Sequence, residues 1–184
     1  MKVYMTGSHS CGKTTLARYV SEKYSLPLIT EVARMVLSEK ELQVDTLRYD
    51  LDVVDSYQKE VFRRQLLEEA KHFTFVSDRS AIDCLAYSAQ HSRIFPELLA
   101  SHTLATYIAN LKVPDTILYF VRPSEQILMK DGVRETPKLG EMLAIDSMIK
   151  FILEMFEIKF IQIDTYKMQE RVRLIDNTIS MIKI

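Results

Sequence analysis

The strongest chemical signal in the chain lies near its start, between Gly7 and Thr14, where the sequence reads GSHSCGKT. This stretch fits the pattern G-x-x-x-x-G-K-[ST] at every fixed position, with an apolar strand-like run before it and a helical pattern after it. The glycines let the backbone curl so that successive N–H groups point at one anion. The following helix adds the positive end of its dipole. The pattern therefore predicts a cradle for the phosphates of a nucleotide.

The side chains of this cradle have expected tasks. Lys13 places a point charge on the β- and γ-phosphates, and the hydroxyl of Thr14 is a hard oxygen ligand suited to Mg²⁺. Cys11 is expected to be a spacer rather than a nucleophile, and His9 a loop residue rather than a catalyst. We therefore predict ATP and Mg²⁺ as cofactors, with a nucleotide site formed by Gly7, Ser8, His9, Ser10, Cys11, Gly12, Lys13, Thr14, Thr15 and Arg122.

A second polar group, Asp78 and Arg79, follows directly after a predicted strand. A carboxylate at that strand end can bind Mg²⁺ or accept a proton, and an adjacent arginine can bind a phosphate or an acceptor. The structural alternative is that Asp78 caps the following helix and pairs with Arg79. We predict that both residues are catalytic and that Asp78 also binds the metal.

A third group, Glu31 and Arg34, follows the preceding predicted strand. Glu31 is expected to face the same cleft, because ligands bind at the carboxyl ends of parallel strands. There it can orient or deprotonate an acceptor hydroxyl. The alternative is an acid that merely stabilises the first turn of a helix through its dipole.

A basic segment late in the chain, residues 130–138, contains Gly132, Arg134 and Lys138. Such a glycine-hinged segment can close over the nucleotide and bring Arg134 to the charge that develops on the transferred phosphoryl group. The alternative is an exposed charged loop. We predict a lid with Arg134 as a catalytic residue.

Strand-like and helix-like patterns alternate along the chain and must position these residues. Alternation of this kind predicts an α/β domain with a parallel sheet covered on both faces. Strands are predicted at residues 2–6, 26–30, 73–77, 116–121 and 158–163. Helices are predicted at residues 13–24, 31–40, 45–72 (as one or two helices), 81–91, 96–110, 123–132, 140–156 and 166–182.

Composition restricts the class of protein. The chain has 184 residues, which predicts a single domain, and 24 basic against 25 acidic residues give a net charge of −1, unlike a protein that coats nucleic acid. Two isolated cysteines argue against a disulfide framework and fit a reducing cytosol. No apolar run reaches the length of a membrane span. We therefore expect a cytoplasmic protein.

Several classes of P-loop protein are excluded by missing motifs. The chain lacks the D-x-x-G and N-K-x-D strings of GTPases and the LSGGQ-like signature of transporter ATPases. A helicase or AAA+ motor would normally need a longer chain. A small kinase remains, with a slow nucleotide-hydrolysing regulator as the alternative from another class.

The strings TGSHSCGKTTL, EVAR, FVSDRSAIDCLAY and KDGVR together resemble the small P-loop ATPase and kinase family called AAA_28, the NadR-like family related to nicotinamide riboside kinases. The DRS-x-x-D-x-x-AY string is also similar to a thymidylate-kinase motif, with Asp83 near the position of that motif's serine. The resemblance implies a P-loop NTPase sandwich with strand order 2-3-1-4-5. It also implies donor and metal contacts from Lys13 and Thr14, metal or base work by Asp78, a phosphate contact for Arg79 and a lid contact for Arg134.

The combined expectation is an ATP- and Mg²⁺-dependent kinase of residues 1–184. The acceptor is a nucleoside or nucleotide bound by Glu31, Arg34 and Asp83. A hydroxymethyl base within DNA is an open alternative, because some phage members of the family resemble kinases of that kind. The sequence leaves the oligomeric state open, a dimer included.

Overall fold

The computed structural model describes residues 1–40, 50–124, 126 and 139–182. Five parallel strands form one sheet in the order β2-β3-β1-β4-β5, which confirms the predicted topology. The strands are β1 (Lys2–Thr6), β2 (Leu28–Ile29), β3 (Phe75–Asp78), β4 (Thr116–Val121) and β5 (Ile161–Ile163).

Helices connect the strands and cover both faces of the sheet. Those that the structure describes fully are α1 (Lys13–Tyr24), α2 (Val32–Glu39), α3 (Leu51–Ala70), α4 (Ala81–His91), α5 (Phe95–Leu99), α6 (His102–Leu111), α7 (Leu139–Met155) and α8 (Met168–Ile182).

The helix predicted over residues 96–110 is wrong, because the structure has two helices there, α5 and α6. Ala100 is the C-cap of α5, and α6 begins after its N-cap, Ser101. Its hydroxyl donates to the carbonyl of Leu98 at 2.7 Å and accepts from the N–H of Leu104 at 3.2 Å. Serine in this place satisfies backbone groups at both helix ends, which favours a break over a continuous helix.

The core consists of two apolar layers, one on each face of the sheet. Alternation along β1 sends Val3 and Met5 to one layer and Tyr4 to the other. α1 and α8 pack on the first face, with Leu16 and Ile175 fully buried there. Helices α2 to α7 supply the second, larger layer. The described helices include none that is long and apolar enough to cross a membrane.

One buried carboxylate, Glu69 at the end of α3, lies inside the larger layer. It accepts hydrogen bonds from Tyr4 Oη at 2.7 Å, Gln65 Nε2 at 2.8 Å and Tyr107 Oη at 3.1 Å. Gln65 also donates to Ser77, and Tyr107 accepts from the N–H of Ala81. Burial raises the pKa of Glu69 to about 7, although these donors favour its ionised form. The network ties α3 to the residues on either side of Asp78.

The topology places the ligand-binding edge at the centre of the sheet. β1 lies between β3 and β4, with Met5 beside Asp78 and Thr6 beside Phe120. After β1 the chain continues into α1 on one face of the sheet, and β3 and β4 flank β1 on its two sides. A crevice therefore forms beyond the carboxyl ends of β1, β3 and β4, where open α/β sheets bind ligands.

Candidate active site

The segment Gly7–Thr14 links β1 to α1 and makes a tight turn over the sheet edge. Gly7 has φ +151°, and a Cβ at this position would lie 2.3 Å from the carbonyl oxygen of Val121 on β4. Gly12 has φ +90° and precedes the first residue of α1. A side chain is therefore excluded at Gly7 by contact and disfavoured at Gly12 by backbone conformation.

Lys13 points back into this loop rather than out to solvent. Its ammonium group donates to the carbonyl of Ser8 and lies 3.4 Å from the sulfur of Cys11, and only 5% of the residue is exposed. The thiol of Cys11 donates to the same carbonyl at 3.1 Å and is fully buried, which agrees with a spacer. Lys13 thus places its charge on the concave side of the loop, as phosphate binding requires.

Two hard oxygen atoms, one from Thr14 and one from Asp78, meet at the first turn of α1. Thr14 Oγ1 donates a hydrogen bond of 2.6 Å to Oδ2 of Asp78, the last residue of β3. Magnesium in phosphoryl-transfer sites is held by one or two protein oxygens together with substrate phosphates and waters. Thr14 and Asp78 fit that role, and within the described residues no cluster of three or more His, Cys, Asp or Glu side chains competes for it. Asp78 does not cap α4, whose N-cap is Ser80.

Glu31 lies between two arginines at the same edge. Its carboxylate is 2.8 Å from Nε of Arg79 and 2.5 Å from Nε of Arg34, and 14% of its side chain is exposed. Burial alone would raise the pKa of Glu31, but the charges of Arg79, Arg34 and Lys13 hold it below its usual value. The charges around Glu31 therefore favour its ionised form, whereas Arg34 remains 62% exposed.

Arg79 is held in an unusual conformation. It follows β3 with φ +98°, a region that non-glycine residues rarely occupy, and such strain costs about 1–3 kcal/mol and concentrates at functional sites. Its guanidinium lies 5.1 Å above the ring of Tyr87, a cation–π distance. Nη1 of Arg79 is buried, has no hydrogen-bond partner in the described part of the chain, and lies 3.8 Å from Oδ1 of Asp83, an ion-pair distance.

Tyr87 of α4 also fixes the loop through His9. The tyrosine oxygen accepts from the backbone N–H of His9 at 3.1 Å and lies 3.1 Å from its ring Nδ1. Burial, together with the charge of Arg79, lowers the pKa of His9, so this ring is neutral at pH 7. Tyr87 lies within the DRS string identified from sequence, yet only its contacts reveal that it joins Arg79 to the phosphate loop.

Asp83 is held by hydrogen bonds within the chain. It is 1% exposed, and Oδ2 accepts from Thr6 Oγ1 at 2.6 Å and from the N–H of Ser80 at 2.8 Å. Its other oxygen, Oδ1, accepts from the N–H of Gly7 at 3.0 Å. Because both oxygens accept hydrogen bonds within the chain, Asp83 anchors α4 to the start of the phosphate loop. Its role in substrate binding stays a prediction.

Arg122 follows β4 and forms an ion pair that the sequence did not indicate. Its Nε lies 2.8 Å from Oδ2 of Asp146 on α7, without the alignment of a hydrogen bond. Asp146 is 1% exposed, and burial raises its pKa to about 6 although Arg122 opposes the rise. The signal in the sequence was an acid, Asp146, on the otherwise apolar buried face of α7, which indicates a buried partner of opposite charge. Nucleotide binding by Arg122 stays a prediction.

Of the remaining predicted residues, three lie in or beside the phosphate loop, and those of the proposed lid lie outside the described part of the chain. Ser8 is fully buried with an unpartnered hydroxyl among the described atoms, Ser10 lies in the loop with φ +57°, and Thr15 is exposed on α1. The proposed lid at 130–138, with Gly132, Arg134 and Lys138, lies outside the described residues and stays a prediction.

Comparisons with known proteins agree with this fold. The family model AAA_28, described as an AAA domain, matches residues 2–171. A structure of deoxyadenosine kinase from M. mycoides, with products dCMP and dCDP bound, has a TM-score of 0.68 at 15% identity and covers 98% of this chain and 100% of its own. The curated protein sequences contain no match to the chain.

Two further solved structures show the same likeness. The NadR protein in complex with NR has a TM-score of 0.69 at 19% identity over 89% of this chain, which spans 45% of the NadR chain. Shikimate kinase from Aquifex aeolicus has a TM-score of 0.55 at 14% identity, covering 98% of this chain and 96% of its own. At these identities the likeness shows the fold, which is that of P-loop kinases.

Proposed function

Because the chain belongs to the AAA_28 family, we propose that it is a kinase that transfers the γ-phosphoryl group of ATP to a nucleoside- or nucleotide-type acceptor. One observation carries this proposal. Beyond the donor half of the site, made by Lys13, Thr14 and Asp78, the structure holds a second, ionised carboxylate, Glu31, against the arginine that follows Asp78. A protein that only binds or hydrolyses ATP needs the first half, whereas an acceptor hydroxyl needs the second.

Each residue then has a role in the transfer. Lys13 and the loop N–H groups bind the donor phosphates. Thr14 and Asp78 would hold Mg²⁺, which would neutralise the charge of those phosphates. Glu31 accepts the proton of the acceptor hydroxyl. The oxygen of that hydroxyl forms a bond to the γ-phosphorus, and the bond between the γ-phosphorus and the bridging oxygen breaks, so that ADP leaves. Arg79 orients Glu31 through Nε and Nη2, both 2.8 Å from Oε1 of the carboxylate.

The acceptor class rests on fold neighbours. Deoxyadenosine kinase is solved with dCMP, dCDP, dCTP and dATP, and NadR with NR. Nucleosides and nucleotides are therefore the first acceptors to test. The net charge of −1 also favours a free small molecule over DNA, because phosphate contacts dominate affinity for nucleic acid.

Labelled ATP tests the proposal directly. The protein is incubated with γ-labelled ATP and Mg²⁺ against nucleosides, nucleoside monophosphates, shikimate, and single- and double-stranded DNA with hydroxymethyl bases. We expect label on a nucleoside or nucleotide, lost in Lys13→Ala and kept in Lys23→Ala, a change at the exposed end of the same helix. Label on DNA alone would replace the acceptor class, and ATP consumption with no labelled acceptor would contradict a kinase.

A further inference from the structure

Arg171 of α8 reaches from the C-terminal helix to the underside of the phosphate loop. Its Nη1 donates to the carbonyl of Cys11 at 2.6 Å, and its Nε donates to the carbonyl of Thr165 at 2.6 Å. The residue is fully buried. One side chain therefore joins the loop after β1 to the loop after β5.

The contact with Cys11 bears on the direction of a loop N–H group. The C=O of Cys11 and the N–H of Gly12 belong to one planar trans peptide, in which the two groups point in opposite directions. Because the carbonyl is held by Arg171, the N–H of Gly12 points away from α8. Gly12 also leaves room for the guanidinium, since a Cβ there would lie 3.0 Å from Nη1.

The charge of Arg171 has no acidic partner within the described residues, and its Nη2 has no hydrogen-bond partner there. Other cations at this edge are paired differently: Arg79 lies against Glu31, and Arg122 against Asp146. A buried charge without a counter-charge is costly. Burial lowers the pKa of Arg171, yet a guanidinium stays protonated. Among the described residues, Arg171 is thus a positive charge without a counter-charge, directly beneath the loop.

We propose that Arg171 is a positioning residue of the nucleotide site, which orients the Cys11–Gly12 peptide and keeps its charge unpaired for the polyphosphate bound on the other side of the loop. This inference rests on the proposed binding of a nucleoside triphosphate. It assigns part of the affinity to a helix that contributes no residue to the P-loop pattern. It also predicts that the charge of Arg171 lowers the stability of the folded protein when no anion is bound, and that a bound polyphosphate raises it again.

The test measures thermal unfolding and binding of Mg²⁺-ATP and of inorganic tripolyphosphate, for wild type and Arg171→Met. Methionine keeps apolar volume and removes the charge. The substitution removes a buried charge, which favours folding, and leaves the carbonyls of Cys11 and Thr165 without this donor, which opposes it. The decisive quantity is therefore the ligand-induced rise in Tm rather than the unliganded Tm. We expect at least a tenfold weaker Kd for both ligands, most of the ligand-induced rise in Tm lost, and a raised KM for ATP with an unchanged KM for the acceptor.

Two further variants sharpen the result. Arg171→Lys keeps the charge on a single nitrogen, which cannot reach both carbonyls as the guanidinium does, and should bind with intermediate affinity. Arg173→Met, an exposed arginine on the same helix, should bind like wild type.

The possible failures are distinguishable. If wild type binds neither ligand, the proposed function fails and this inference fails with it. If wild type binds and Arg171→Met binds within twofold, or only loses Tm with its ligand-induced shift intact, Arg171 is a structural residue and the inference alone is overturned.

Discussion

Thr14 Oγ1 and Asp78 Oδ2 are joined by a 2.6 Å hydrogen bond between residues 64 positions apart in the chain. The bond brings the first turn of α1 to the end of β3, so that two hard oxygens stand beside the phosphate loop. The sequence does not show that these two residues meet. The contact arises because β3 is the direct neighbour of β1 in the sheet.

Asp78→Asn tests this pair as a metal site. Asparagine keeps the shape and the hydrogen bond but removes the negative charge, so Mg²⁺ should be held more weakly. We expect kcat to fall by about 100-fold or more, since about 1.4 kcal/mol of lost transition-state stabilisation is tenfold in rate. The affinity for ATP should change less, and half-maximal activity should need more Mg²⁺. Turnover is measured against Mg²⁺ concentration.

Asp115→Asn is the matched control for that substitution. Asp115 precedes β4, is 61% exposed and pairs only at 3.7 Å with the N-terminal amine. It should keep wild-type turnover and Mg²⁺ dependence. Near-normal turnover in Asp78→Asn would remove Asp78 from the catalytic residues.

Glu31→Gln tests the acceptor base. The loss of a general base typically costs about 10²–10⁴ in rate, so kcat should fall by that order while ATP binding persists. The control is Glu39→Gln, at the other end of α2, where Glu39 is 50% exposed and pairs with Arg64. Unchanged kcat and acceptor KM in Glu31→Gln would assign Glu31 a structural role.

The pH dependence of kcat/KM gives a second reading of Glu31. Its pKa lies below the usual value of a glutamate, so the carboxylate is ionised across neutrality and its acid limb should lie below pH 4.5. Removal of a neighbouring charge in Arg79→Met should raise that pKa and shift the acid limb to higher pH. A limb that stays in place would show that the two side chains are not coupled.

Gly7→Ala and Gly140→Ala form a matched pair. A methyl group at Gly7 would lie 2.3 Å from the backbone of Val121, and the φ of +151° disfavours alanine, at a cost of about 1–3 kcal/mol for the backbone alone. Gly140, in the first turn of α7, has nothing within 4 Å, so alanine should add up to about 0.5–1 kcal/mol of stability. Denaturant unfolding measures both free energies. Equal effects would contradict the close approach of the loop to β4.

Glu69→Gln isolates a pH-dependent component of stability. The pKa of Glu69 is raised from 4.5 to about 7 in the folded protein, so the native state binds the proton more tightly than the unfolded chain. That contribution is fully present below pH 4.5 and is lost as pH rises through 7, by up to about 3 kcal/mol at 1.36 kcal/mol per pKa unit. The free energy of unfolding of wild type minus that of Glu69→Gln should therefore fall over this interval. A constant difference would contradict the burial of this carboxyl group.

The sequence by itself determined the features that depend on neighbours along the chain. The pattern from Gly7 to Thr14 predicted the loop, because each residue acts through its own backbone conformation or side chain. The limits of β1, α1, α4 and β4 matched the predicted ones for the same reason, since apolar periodicity and turn residues are local signals.

Only the tertiary structure decided which of these side chains meet. Asp83 and Asp78 are both acids near one strand end. The carboxylate of Asp83 accepts hydrogen bonds from Thr6, Ser80 and Gly7, whereas that of Asp78 accepts one from Thr14. Glu31 is ionised because Arg79 comes from another strand, and Arg171 arrives from the far end of the chain. Burial and charge partners depend on packing between distant segments, and no local pattern in one sequence encodes that packing. The motif therefore predicted the phosphate loop. The partners of Asp78, Asp83 and Glu31, and the contact of Arg171 with the loop, followed from the fold.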